Sequence, residues 1–124
     1  MAELPTRYEP LLLTFHQPRL IDGAIVFGND DGTQFVLVSD AVFSVDSKGR
    51  HPRRFVNSSI AALASCVEAH REYCDAVTDA SSEAEELSVA ELLAVALVRI
   101  DSAALADPEN WWSVVVEQAR DGVL

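Results

Sequence analysis

Residues 53–77 constrain this chain most, because an extended segment, Arg53-Arg54-Phe55-Val56, passes there straight into a helical one. Asn57 and Ser58 are residue types whose side-chain oxygens accept from the free N–H groups of a first helical turn. One of them is the expected N-cap, with the helix starting near Ser59. Beyond it Ile60, Leu63, Ala64, Val67, Cys74 and Val77 recur at three- and four-residue steps, while Ser65, Glu68 and Glu72 fall opposite. That pattern lays a helix on a sheet by one face. Short β-type runs with Gly-containing turns precede it, and almost everything after it reads as helix.

Leu11–Phe15 is an apolar run of strand length that His16-Gln17-Pro18 should break. Leu20 to Gly28 reads as a second strand with Gly23 placed for a bulge, and Asn29-Asp30-Asp31-Gly32 is a hairpin signal. Phe35-Val36-Leu37-Val38 is apolar throughout, which predicts cover on both faces and a place near the middle of the sheet. After Ser39-Asp40-Ala41, the run Val42–Val45 is either a bent continuation or a new strand following a tight turn. Asp46–Arg50 is an Asp/Gly turn, and Arg54–Val56 is the last strand. The first half is therefore a small antiparallel meander.

Residues 75–86 contain Asp75, Asp79, Glu83, Glu85 and Glu86 without a base, which suits an exposed connection. Ser88-Val89-Ala90-Glu91 matches a capping box ahead of Leu92–Val98, a run apolar nearly all round, so a well-buried second helix is expected to start there. Asp107-Pro108 offers an N-cap and a proline at the first helical position. Trp111–Arg120 continue that third helix, and Gly122 is placed to end it. The expected class is α+β, one domain over residues 1–124, with a mainly antiparallel N-terminal sheet and three helices packed on it.

The charge narrows the partners. The chain has 20 acids and 9 Lys or Arg, a formal net charge of −11, and residues 75–124 alone hold 11 acids against Arg99 and Arg120. Such a surface repels phosphate backbones and membrane faces and favours a basic protein. No apolar run reaches about 18 residues, and Met1–Pro5 lacks a secretory pattern, so a soluble cytoplasmic protein is expected. Cys66 and Cys74 lie about 12 Å apart along one helix, beyond disulfide reach, and read as reduced core thiols.

No catalytic or cofactor motif assembles. Cys66-x3-His70-x3-Cys74 is the best metal-like pattern, but its two thiols are more than two helical turns apart, so core cysteines with a boundary histidine is the better reading and no metal is expected. There is no G-x-S-x-G elbow and no phosphate-binding glycine loop. The only basic cluster, Arg50, His51, Arg53 and Arg54, is best read as pairing with the chain's own acids. Trp111-Trp112 is the remaining unusual feature. Adjacent helical residues point about 100° apart, so one indole facing the core would place the other at its edge, where it can anchor a partner; burial of both against the sheet is the favoured reading. Both tryptophans stand, with the five acids, as candidate contact residues.

Phe55-Val56-Asn57-Ser58-Ser59-Ile60, followed by Cys66 and Tyr73, resembles a segment of the SUKH superfamily, in particular its fourth subgroup of bacterial immunity proteins. Upstream, Gly28-Asn29-Asp30, the strand through Val38 and Asp40, Val42-Phe43 and Gly49 are similar to that group's sheet. Downstream, Ile100–Glu117, with Asp107-Pro108-Glu109-Asn110-Trp111-Trp112, and then Gly122 resemble its ending. The similarity covers roughly residues 20–124. Ala62-Leu63-Ala64 stands where the group carries a bulkier aromatic, and the family's N-terminal helix ahead of Leu4-Pro5 is missing. The resemblance implies a non-enzymatic domain that binds a toxin and blocks it, with nucleases and nucleic-acid deaminases among the toxins concerned. A regulatory or scaffold role with another protein partner is the alternative that the superfamily also implies.

Overall fold

In the computed structural model, which describes residues 3–122, the N-terminal half is one six-stranded antiparallel sheet and the C-terminal half is three helices. The strands are β1 (Arg7–Tyr8), β2 (Leu13–Ile21), β3 (Ala24–Asn29), β4 (Thr33–Val38), β5 (Ala41–Asp46) and β6 (Arg54–Asn57), paired in chain order. The helices are α1 (Ile60–Thr78), α2 (Glu83–Ile100) and α3 (Trp111–Arg120). The α+β expectation holds. Ahead of β2 the described residues form β1 and a 3-10 turn at Glu9–Leu11.

Two local readings change in the first hairpin. β2 runs straight through His16-Gln17-Pro18, with a register shift between Phe15 and Arg19 where the proline sits. Pro18 is tolerated because β1 pairs only with Leu13 and Thr14, which leaves this stretch an edge that needs no N–H donor. Gly23 is a turn residue, not a bulge. Asp22 and Gly23 have φ of 51° and 81° and join Ile21 to Ala24, the two-residue connection whose twist matches that of the flanking strands. The open question after β4 is settled by Val38 pairing with Ala41: β5 is a new strand, entered through Ser39 with φ of 56°. β4 lies inside the sheet, flanked by β3 and β5.

The inner face of the sheet carries Leu13, Phe15, Phe27, Phe35, Val42 and Val56, all buried in one core with Leu63, Cys66, Val67, Trp112, Val115 and Val116 of the helices. Phe15, Phe27 and Phe35 form a triangle of rings with centroids 5.9–6.4 Å apart. Gly28 makes that triangle possible, since a Cβ there would lie 2.6 Å from the Phe15 ring and 2.7 Å from the Thr14 carbonyl oxygen.

α1 packs on β5 and β6, α3 on β6, and α2 against α1 and α3. The helix starts differ from expectation. Ser59, not Asn57 or Ser58, caps α1, its hydroxyl accepting from the Ala62 N–H at 3.0 Å. α2 begins five residues before Ser88: the Ser82 hydroxyl accepts from the Glu85 N–H, and the Glu85 carboxylate accepts from the Ser81 N–H and hydroxyl. This earlier cap prevails because Glu83, Glu85 and Glu86 then sit in the first turn, where the exposed N–H groups and helix dipole favour anions. Asp107-Pro108 does not open α3. The Asp107 carboxylate accepts from the Glu109 N–H in a turn, and the helix begins after Asn110. Nor is α2 buried all round, since only Ala90, Leu93, Ala94 and Leu97 are buried along it.

Candidate functional site

The five predicted acids all lie exposed at one corner of the helical layer. Asp75 is on the last turns of α1 and Asp79 ends that helix, while Glu83, Glu85 and Glu86 fill the first turn of α2. The connection between the helices is only residues 79–82, so the acids are held on two helix ends and not on a long loop. Glu85 is already committed. The Ser81 backbone N–H and then its hydroxyl hold the Glu85 carboxyl below the usual carboxylate range. Asp75, Asp79, Glu83 and Glu86 remain as carboxylates facing solvent.

The tryptophans are elsewhere and inside. Trp112 is wholly buried, and its indole N–H donates to the Asn57 side-chain oxygen at 2.8 Å. Trp111 stands edge-on to Trp112 and to Phe35, and its N–H donates to Asp30 at 3.0 Å. Of the two readings of this pair, burial of both indoles is the one the structure bears out. The perpendicular stacking lets both rings enter the core while each polar tip finds an acceptor. Trp111 forms one wall of a hollow of about 400 Å³ that Leu11, Leu12, Arg54, Val114 and Gln118 also line.

Asn57 and Ser58, read from sequence as caps, hold a buried carboxylate. Asp101, just beyond α2, accepts from the Ser58 N–H (2.7 Å), the Ser58 hydroxyl (2.9 Å), the Asn57 amide (3.0 Å) and the Ala103 N–H (3.3 Å). Burial pulls its pKa upward, but these donors outweigh that and hold it below the ordinary value. The chain Trp112–Asn57–Asp101–Ser58 thus pins the β6–α1 junction to α3 and to the end of α2. This is structural chemistry; Asp101 was missed because nothing near it in sequence reveals a partner 43 residues away.

The remaining chemistry-bearing groups are packed into the core. His70 is not at a boundary but buried, with Nδ1 2.7 Å from the Tyr8 hydroxyl and 3.6 Å from Cys74 Sγ. Burial pushes its pKa down to about 4 and pushes the Cys66 thiol up to about 11, the reverse of what a nucleophile needs. Both cysteines are free. Among the described residues no cluster of three His, Cys, Asp or Glu side chains is placed to hold a metal ion, and no helix is long and apolar enough to cross a membrane. The basic cluster is partly self-compensated. Arg50 pairs with Asp46 at 3.0 Å, Arg54 donates to the Glu109 carbonyl at 2.6 Å, and Arg53 lies 4.4 Å from the centre of the Phe43 ring.

A meandering antiparallel sheet backed by three helices makes an α+β domain whose polar network holds the core and whose acids are displayed on helix ends. The sequence matches the SUKH-4 immunity protein family over residues 13–118, and the chain belongs to that family. No curated protein and no solved structure matches it.

Proposed function

We propose that this protein binds a cognate bacterial toxin and neutralises it in the cytoplasm, without catalysing a reaction itself. Membership of an immunity-protein family carries the reading. The acidic corner formed by Asp75, Asp79, Glu83 and Glu86, with Glu85 between them, supports a basic toxin as the partner. A domain that acts on nucleic acid presents cationic side chains to phosphates, and carboxylates fixed on two helix ends can occupy the same ground with steered, fast association.

The test is co-expression with the toxin domain encoded beside its gene, scored as rescue of growth, together with binding kinetics against the catalytically inactivated domain at two salt concentrations. Changing Asp75 and Asp79 to Asn and Glu83 and Glu86 to Gln should slow association several-fold at low salt and leave dissociation nearly unchanged, because exposed charges act within a Debye length of about 30 Å at 0.01 M but only about 8 Å at 0.15 M. Glu85 is left in place to preserve the cap of α2. No rescue and no binding would refute the immunity reading, and association indifferent to salt and to the four amides would remove the acidic corner from it.

A further inference from the structure

α2 carries more apolar side chains than its neighbours cover. At 100° per residue, Ala90, Leu93, Ala94 and Leu97 share the face turned to α1 and α3, whereas Leu87, Leu92, Val95 and Val98 sweep an arc of about 140° on the side away from them. Those four are 48, 67, 47 and 45 % exposed. Leu92 to Val95 and Val95 to Val98 are three-residue steps, so these three are successive neighbours on the helix surface, with Leu87 beyond them at its N-terminal end. Val95 and Val98 also line a hollow of about 460 Å³ that Ala94, Leu105, Glu91, Arg99 and Arg120 complete. A single exposed leucine is ordinary, but a strip of aliphatic residues beside a hollow is the form of a helix face awaiting a partner.

The charges around the strip select the occupant. At 100° per residue Glu83 and Glu86 fall on the α1 side of the first turn, Glu83 one turn before Leu87, so the acidic corner, with Asp75 and Asp79 on the adjoining end of α1, borders the N-terminal end of the strip and is not part of it. Of its two flanking cations, Arg120 is engaged by Glu91 at 2.5 and 3.1 Å, which leaves Arg99 alone against these acids. A second copy of the chain would bring another net charge of −11 to the same place. Four partly exposed side chains supply only a fraction of the roughly 800 Å² per partner that offsets such repulsion in a stable complex. A protein whose apolar contact residues are ringed by Lys and Arg gains on both counts.

We propose that the outer face of α2, centred on Leu92, Val95 and Val98, is the apolar anchor of the docking surface, and that the acidic corner is its steering rim. The occupant is the basic toxin domain, so the assignment rests on the immunity reading. It divides the labour between the two halves of one helix: the carboxylates of the first turn set how fast the partner arrives, and the aliphatic strip sets how long it stays.

Replacing Leu92, Val95 and Val98 together by Ala tests this, because alanine shortens the exposed side chains and favours the helix. Against the inactivated toxin domain, affinity should fall about thirtyfold or more through faster dissociation, with the association rate and its salt dependence unchanged. Hydrogen exchange of the unsubstituted protein, with and without that domain, should show added protection across residues 87–99, a readout that does not depend on the variant folding. Parent-like dissociation of a folded triple variant, or no added protection in α2, overturns the anchor while leaving the immunity reading intact. Failure of the parent to bind removes both. A dimer of the free protein in sedimentation equilibrium that the three substitutions dissociate would instead make this face a self-interface and overturn the proposal.

Discussion

Asp101→Asn isolates the one buried carboxylate that joins the two halves of the molecule. The substitution keeps shape and volume but turns one acceptor oxygen into an amide donor. One orientation sets that NH2 against the Ser58 N–H and Asn57 amide, which share Oδ2, and the other sets it against the Ser58 hydroxyl and the Ala103 N–H, which share Oδ1. Either way at least one donor of this part-buried network loses its acceptor, at about 1–3 kcal/mol, and the bonds that remain are no longer charge-assisted. The expected loss is about 2–4 kcal/mol at pH 7. For a domain of this length that is roughly 10–15 °C in melting temperature. The pH dependence distinguishes this cause from a packing defect. The folded pKa of Asp101 is depressed, so its stabilising effect is present above the unfolded value near 4 and is lost as pH falls through the folded value. Parent and variant should therefore converge below about pH 4. Urea unfolding of both proteins at pH 7, 5 and 3 measures the difference directly. A variant within about 0.5 kcal/mol of the parent at pH 7, or a deficit that stays constant down to pH 3, would refute the role given to the carboxylate.

His70 supplies a second pH dependence of distinct origin. Its pKa is pushed down to about 4 by burial, so the unfolded chain binds the proton first, and stability should decline as pH drops from about 6.5 towards 4; NMR titration of the His70 ring should show it neutral throughout pH 5–8. Gly28→Ala should cost about 1–3 kcal/mol in urea unfolding, since the new methyl meets the Phe15 ring and the Thr14 carbonyl in a filled core, and a neutral outcome would mean that β2 and β3 separate freely there. Ser59→Ala should lower stability by about 1 kcal/mol through loss of the α1 cap, whereas Asn57→Ala should cost more, because it strands the Trp112 indole N–H; equal thermal shifts would show that Asn57 acts only as a local cap.

The strand-to-helix switch at residues 53–60 was legible because every signal there is local: β-type residues, then capping types, then apolar residues in a helical rhythm. The same locality explains the errors around it. Asn57, Ser58 and Ser59 are equivalent as capping residues, and only the position of Asp101, brought in by the end of α2, decides that the first two turn to its carboxylate and the third caps. Ser82 and Ser88 likewise each head a capping box. The chain uses the earlier, which makes helix of residues that composition alone assigned to a solvated connection. That choice also determines the surface. With α2 starting at Glu83, its acidic first turn precedes the apolar run from Leu92 to Val98 on the same helix. The run, apolar nearly all round, carries no periodicity to say which side is covered, so sequence could only read it as buried. What covers it is decided by packing: α2 is backed by α1 and α3, and among the described residues no fourth helix lies over its outer side. The proposed docking surface was therefore half visible in sequence, as charge, and half hidden, as an apolar face whose exposure only the packing of three helices decides.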